Sequence, residues 1–195
     1  DRGGDWSSDV CSSDLNMNSR CIAGGSAQTK YPTYSGAKNL FQDFQAFSDW
    51  ASSQAGYLQK DEDGDRWHLD KDILSPLIKV YSSETCCFIP KKINVLLKSP
   101  RVRSTSSLPY GVSVDGARFK VRIKAGSKDL HLGSVGSPAD GHRLWQEAKS
   151  KRIREVAREY EAHPASDARV LRAILSRADQ LDLDIRLGIE TKDFR

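Results

Sequence analysis

The chain has no apolar run near the ~18 residues that a membrane-spanning helix needs. It also has no apolar segment behind a basic start of the kind that marks a secretory signal. Cysteine is scarce, four in 195 residues, and two of the four are the adjacent pair Cys86 and Cys87. That number and spacing give neither a disulfide framework nor the paired ligands of a structural zinc site. A reducing setting follows, and the cytoplasm is the expected location. The length suits one ordinary domain or two small ones.

Helical or strand period is missing from residues 1–15, DRGGDWSSDVCSSDL, which are crowded with Ser, Asp and Gly. The run DWSSDVCSSDL resembles the translation of a sequencing-adaptor oligonucleotide, so the segment is expected to be disordered and foreign to the fold. It holds four Asp against one Arg, a net −3, so the chain's formal +4 becomes +7 for the remainder.

Positive charge is abundant, and it is concentrated. Between Arg101 and Tyr160 there are 13 Lys and Arg against 6 Asp and Glu. Within this block Arg118-Phe119-Lys120-Val121-Arg122-Ile123-Lys124 alternates cation and apolar residue without a break. In a strand, Arg118, Lys120, Arg122 and Lys124 share one face and the apolar three share the other. Like charges so close repel unless something negative lies across them, and phosphate is the candidate. Strands are predicted at Tyr110–Val114, Ala117–Lys124 and Leu130–Gly133, joined by hairpins at Asp115-Gly116 and Ala125-Gly126-Ser127. Ser137 caps a helix with Pro138 at its first position. Through about Ala162 this helix carries Leu144, Trp145, Ala148, Ile153, Val156, Ala157 and Tyr160 at helical spacing, a cover for the apolar sheet face. Lys149, Lys151, Arg152, Arg154 and Arg158 are expected on its exposed side, with Glu147, Glu155 and Glu159 as partners for some. A second helix, Ser166 to Leu187, presents Val170, Leu171, Ile174, Leu175, Ala178 and Leu181, to pack on a domain or on a second chain.

Upstream, Leu40, Phe41, Phe44, Phe47 and Trp50 predict one apolar stripe of a helix ending near Ala51. The acidic run Asp61–Asp65 lacks calcium-loop spacing and a Glu at the twelfth position, so it reads as a hairpin turn. In a strand, His68, Asp70 and Asp72 lie along one face. Cys86–Ile89 reads as a short strand in which the two cysteines point to opposite faces as small buried residues. Pro90 then opens a short helix, Lys91–Leu97. A carboxylate on the first strand with an amide on this helix suits one divalent metal, the alternative being solvent-exposed aspartates. Lys98–Leu108 is a linker in which Arg101 and Arg103 follow a phosphate backbone.

The wording LDKDIL, then Val80-Tyr81-Ser82-Ser83-Glu84-Thr85-Cys86-Cys87-Phe88-Ile89-Pro90 and Ile93-Asn94, resembles the divergent HNH endonuclease-like proteins of bacteriophages, including homing endonucleases. The resemblance covers about Lys30 to Leu97. It implies a strand-strand-helix metal module with Mg or Mn as cofactor if the protein is catalytically active, Asp70 as first ligand and Asn94 as last. It also implies the cytoplasm of a bacterial host. Lys71 stands where active members carry the catalytic histidine. A lysine at its ordinary pKa of ~10.4 is protonated near neutrality and cannot accept the proton of water, though it can grip phosphate. His68, two residues before Asp70 on the same strand face, is the other candidate for the catalytic role, the alternative being a structural or DNA-contact role.

The later block resembles the apetala/ethylene-response-factor (ERF) DNA-binding domain over about Pro109 to Tyr160: GV near the first strand, a basic second strand, LG after the third, and one amphipathic helix. By position that resemblance implies DNA contacts from Ser113, Arg118, Lys120, Arg122, Lys124 and His131. The expected architecture is α+β. An HNH-like ββα module (16–97) and a linker (98–108) lead to an ERF-like three-stranded sheet on one helix (109–162), then a C-terminal helix and tail (163–195). The expected partner is double-stranded DNA, with no membrane. Single-metal phosphodiester hydrolysis, a non-catalytic DNA-binding regulator with a degenerate nuclease module, and a scaffold that meets an acidic protein all remain open.

Overall fold

The computed structural model describes residues 6–98, 107–125 and 128–192. The fold is α+β, and the chain divides into two compact units, Asp1–Pro90 and Lys91–Arg195.

The first unit begins with α1 (Trp6–Cys21), so the described part of the stretch expected to be disordered is helical. Its C-terminal half is anchored: Met17 is fully buried, and Asn18 Oδ1 accepts a hydrogen bond from Asn39 Nδ2 at 2.8 Å. A helix held at one end propagates more readily than it nucleates, even through Ser and Asp. α2 (Ser26–Lys30) and a 3-10 turn at Pro32–Tyr34 follow, and then β1 (Lys38–Asn39). α3 (Phe44–Ser53) starts later than the aromatic stripe suggested. Asp43 caps it by accepting from the Ala46 amide at 2.8 Å, leaving Leu40 and Phe41 in the approach. Leu40 is therefore 63% exposed, whereas Phe41 packs edge-on against the buried Phe47, ring centroids 5.2 Å apart. The acidic run forms the expected hairpin, with Lys60 and Arg66 bridged and Gly64 in the left-handed region at φ 81°.

β2 (His68–Asp70) pairs antiparallel with β4 (Cys87–Ile89), and β1 pairs in parallel with β3 (Val80–Tyr81). β2 stops at Asp70 because its Oδ1 accepts from the backbone amides of Asp72 and Ile73, both at 2.8 Å, and turns the chain. Asp72 thus leaves the strand face it was expected to share with His68 and Asp70. Cys86 and Cys87 are both buried free thiols, and burial pushes the Cys86 thiol up to about 11.

The second unit opens with α4 (Lys91–Leu97), the helix expected to close the upstream module. The boundary falls at Pro90/Lys91 rather than after Leu97. Within this unit the Lys149 ammonium donates to the Leu96 carbonyl at 2.5 Å, and Lys92 pairs with Glu159 at 3.0 Å. β5 (Val112–Asp115), β6 (Arg118–Ala125) and β7 (Lys128–Val135) form the antiparallel sheet in the order β5-β6-β7. Val121 and Ile123 are buried beneath α5 (Pro138–Glu161), whose Ser137 cap accepts from the Asp140 amide.

Helix and sheet approach closely because Gly141 faces the strands: a Cβ there would stand 3.1–3.2 Å from Val112, Val121 and Val135. α6 (Ala168–Leu187) packs on α5 within the same chain, its Asp182 accepting from Ser150 Oγ at 2.6 Å. Val170, Ile174, Ala178 and Leu181 are its buried stripe. Lys149 is not on the exposed side of α5 but 5% exposed. Its removal from water lowers its pKa to about 8. Among the described residues, no helix is long and apolar enough to cross a membrane.

Candidate nucleic-acid interface

Strand alternation turns Arg118, Lys120, Arg122 and Lys124 away from α5. Arg118, Arg122 and Lys124 are exposed and Lys120 is half-exposed. Register supplies their neighbours. Asp115 stands opposite Arg118, and Ser113 and Ser134 flank Lys120 on either side. A bulge between Val121 and Arg122 shifts β7 by one residue, with Gly133 beside it at φ 149°. In consequence His131, rather than Leu132, is the partner of Arg122, and Asp129 is the partner of Lys124. Arg118 reaches across to donate to the Ser134 carbonyl at 2.7 Å, and the Ser113 hydroxyl donates to the Lys120 carbonyl at 3.4 Å. Among the described residues, none of Lys120, Arg122 and Lys124 lies within 4.0 Å of a carboxylate oxygen in an ion pair. Three of the cations on α5 are committed elsewhere: Arg143 to Glu147, Arg152 to Glu155, Arg154 to Asp179 and Asp182. The face therefore gathers Ser113, Arg118, Lys120, Arg122, Lys124 and His131. Arg101 and Arg103 lie outside the described residues.

The residues expected to do metal chemistry are arranged differently. His68 is exposed on β2. Lys71 is 5% exposed, with its ammonium 2.5 Å from Asp72 Oδ1 and 5.6 Å from the centre of the Tyr81 ring. Arg20 donates to the Tyr81 hydroxyl at 3.3 Å and lies within electrostatic reach of Asp70. Burial raises the Asp70 carboxyl above its ordinary pKa, and Asp72 adds to this, while the Ile73 amide opposes it. Asp70 belongs to the first unit and Asn94, half-buried in the middle of α4, to the second.

A divalent ion wants ionised oxygen ligands with open lone pairs and no competing cation. Here one Asp70 oxygen is taken by two amides, burial favours the neutral acid, and the Lys71 ammonium already pairs with Asp72. Among the described residues, no group of three His, Cys, Asp or Glu is disposed to hold a metal. These surroundings do not fit the cation that the strand-strand-helix resemblance implies.

Two features escaped the sequence reading. One is the buried cation Lys149, which helical period placed outside. The other is the tail, for which no role was legible. His142, 4% exposed, donates through Nδ1 to the Tyr110 carbonyl, because a carbonyl only accepts, and its Nε2 accepts from the Thr191 amide; both distances are 3.0 Å. Gln146 Nε2 donates to the Ile189 carbonyl and the Thr191 hydroxyl, and that hydroxyl donates to Asp184. The segment Ile189–Thr191 is thereby strapped to α5. No family model, no curated protein and no solved structure matches the chain.

Proposed function

We propose that the chain binds duplex DNA through the outer face of the β5-β6-β7 sheet, with the first unit as a non-catalytic companion. The supporting observation is the unbroken row of cations on β6, turned to solvent while the opposite side of the same strand is buried under α5. From Arg118 to Lys124 is six residue steps, about 20 Å of strand. The major groove is about 12 Å wide and admits a sheet of this kind. Laid across it, the strand brings Lys120 and Arg122 over base edges while Arg118 and Lys124 reach the phosphates of the two rims. Arg is well suited to guanine edges, and the rim contacts supply sequence-independent affinity.

Fluorescence anisotropy with a labelled duplex tests this. Lys120→Ala/Arg122→Ala is expected to weaken binding at least tenfold while the melting temperature stays within about 2 °C of wild type, since both side chains face solvent. Equal affinity of the two proteins, or no binding by wild type, overturns the proposal.

A further inference from the structure

The sheet face is not uniformly basic. Its carboxylates stand at the two ends, Asp115 opposite Arg118 and Asp129 opposite Lys124, while the middle rows hold Ser113, Ser134 and His131 beside Lys120 and Arg122. Directly paired residues on antiparallel strands have Cβ atoms about 4.5–5.5 Å apart, so each carboxylate shares its neighbourhood with one end cation. The bulge at Val121/Arg122 is what puts Asp129 there. Without the shift, Lys124 would face Leu130. Among the described residues, neither carboxylate accepts a hydrogen bond that would explain it as a turn residue. The two Asp are not locked to their cations in ion pairs, so Lys124, and the guanidinium donors of Arg118 that the Ser134 carbonyl leaves over, can reach a phosphate. They do so against repulsion between that phosphate and the nearby carboxylate. The four cations and two carboxylates of the face sum to +2.

We infer that Asp115 and Asp129 restrain binding at the rims of the sheet face, holding down sequence-independent affinity so that discrimination falls to Lys120, Arg122 and His131. This rests on the proposed docking of that face on duplex DNA. Phosphate contacts carry affinity without sequence information, and base edges carry the information. Weakening only the end contacts therefore lowers binding to arbitrary DNA more than it lowers selection among sequences. A like-charge element set against the unwanted partner is a general route to specificity.

The experiment measures affinity of the full chain for a random-sequence duplex across salt concentrations. On a random duplex, where no base edges match them, Lys120 and Arg122 settle on phosphates as well. Two effective phosphate contacts give a slope of log affinity against log salt of about −1.8, and all four cations give about −3.6. Between 50 and 200 mM salt these correspond to losses of about 12-fold and about 150-fold. Wild type is expected near the shallower value and Asp115→Asn/Asp129→Asn near the steeper one, with tighter binding at low salt. A gain of binding is not mimicked by misfolding. Asp63→Asn/Glu84→Gln makes the same change in net charge at exposed positions of the first unit and is expected to keep the wild-type slope. An unchanged slope in the Asp115/Asp129 variant, or equal steepening in the control, overturns the inference and leaves DNA binding standing. Absence of binding by every protein overturns the docking of the face, and the inference with it.

Discussion

Replacing Lys149 by Met is expected to abolish a specific pH dependence of stability. In the folded chain, burial lowers the Lys149 ammonium from 10.5 to about 8. Below pH 8 it is protonated in both states, and folding carries the full penalty of burying the charge. Between about pH 8 and 10.5 the folded state has released this proton while the unfolded state still holds it. The unfolded state then binds more protons, so this residue makes stability rise with pH across that window. At 1.36 kcal/mol per pKa unit the rise totals ~3 kcal/mol, an appreciable share of the 5–15 kcal/mol of a typical domain. The hydrogen bond to the Leu96 carbonyl survives the change, since a neutral amine still donates.

Urea denaturation of wild type and Lys149→Met across the window isolates the effect, because other groups titrate alike in both proteins. The wild type is expected to gain ~3 kcal/mol relative to the variant from the bottom of the window to the top. At neutral pH the variant is expected to be no more than ~1–2 kcal/mol less stable: it loses a hydrogen bond but also the buried charge. A difference that stays flat across the window refutes the argument.

Other outcomes follow from single positions. Gly111 has φ 81°, and a Cβ there would run into the Trp145 ring at Cδ1. Gly111→Ala combines a left-handed penalty of about 1–2 kcal/mol with displacement of a buried ring at about 1–3, so thermal unfolding is expected to show a large drop in melting temperature. An unchanged midpoint contradicts the close approach. Magnesium or manganese at millimolar concentration is expected to leave the melting temperature unmoved, because a ligand of the folded state raises it. A rise that Asp70→Asn abolishes would show that the Asp70 cluster does hold a cation.

Much of the second unit was legible in the chain. Alternation over Arg118–Lys124 needs only the two-residue period of a strand, and Ser137-Pro138 is a local cap signal, so strand, face and helix start all follow from short-range chemistry. Where long-range packing decides, the sequence was mute. Lys149 looks like a surface lysine until the Leu96 carbonyl is brought beside it. Gly141 looks incidental until three valines lie against it. The residue opposite Lys124 depends on a bulge that leaves no composition signal, and so the balance of charge on the face was overestimated. In the first unit, Asp70 and Asp72 alternate as strand residues do, but the Asp70 side chain ends the strand by taking two amides for itself. Asp70 and Asn94, the pair expected to share a metal, lie in different units, since the unit boundary falls at Pro90, ahead of the helix that carries Asn94.

The proposed DNA binding requires the solvent face of β6 to be the surface that meets the duplex. An NMR titration of the full chain with an unlabelled duplex, following backbone and side-chain amide signals, tests that directly. The largest shifts are expected at Lys120, Arg122 and His131, with the buried helix residues Ile153 and Ile174 still. Shifts concentrated on α5 and α6, or absent from β6 at saturating duplex, would contradict it.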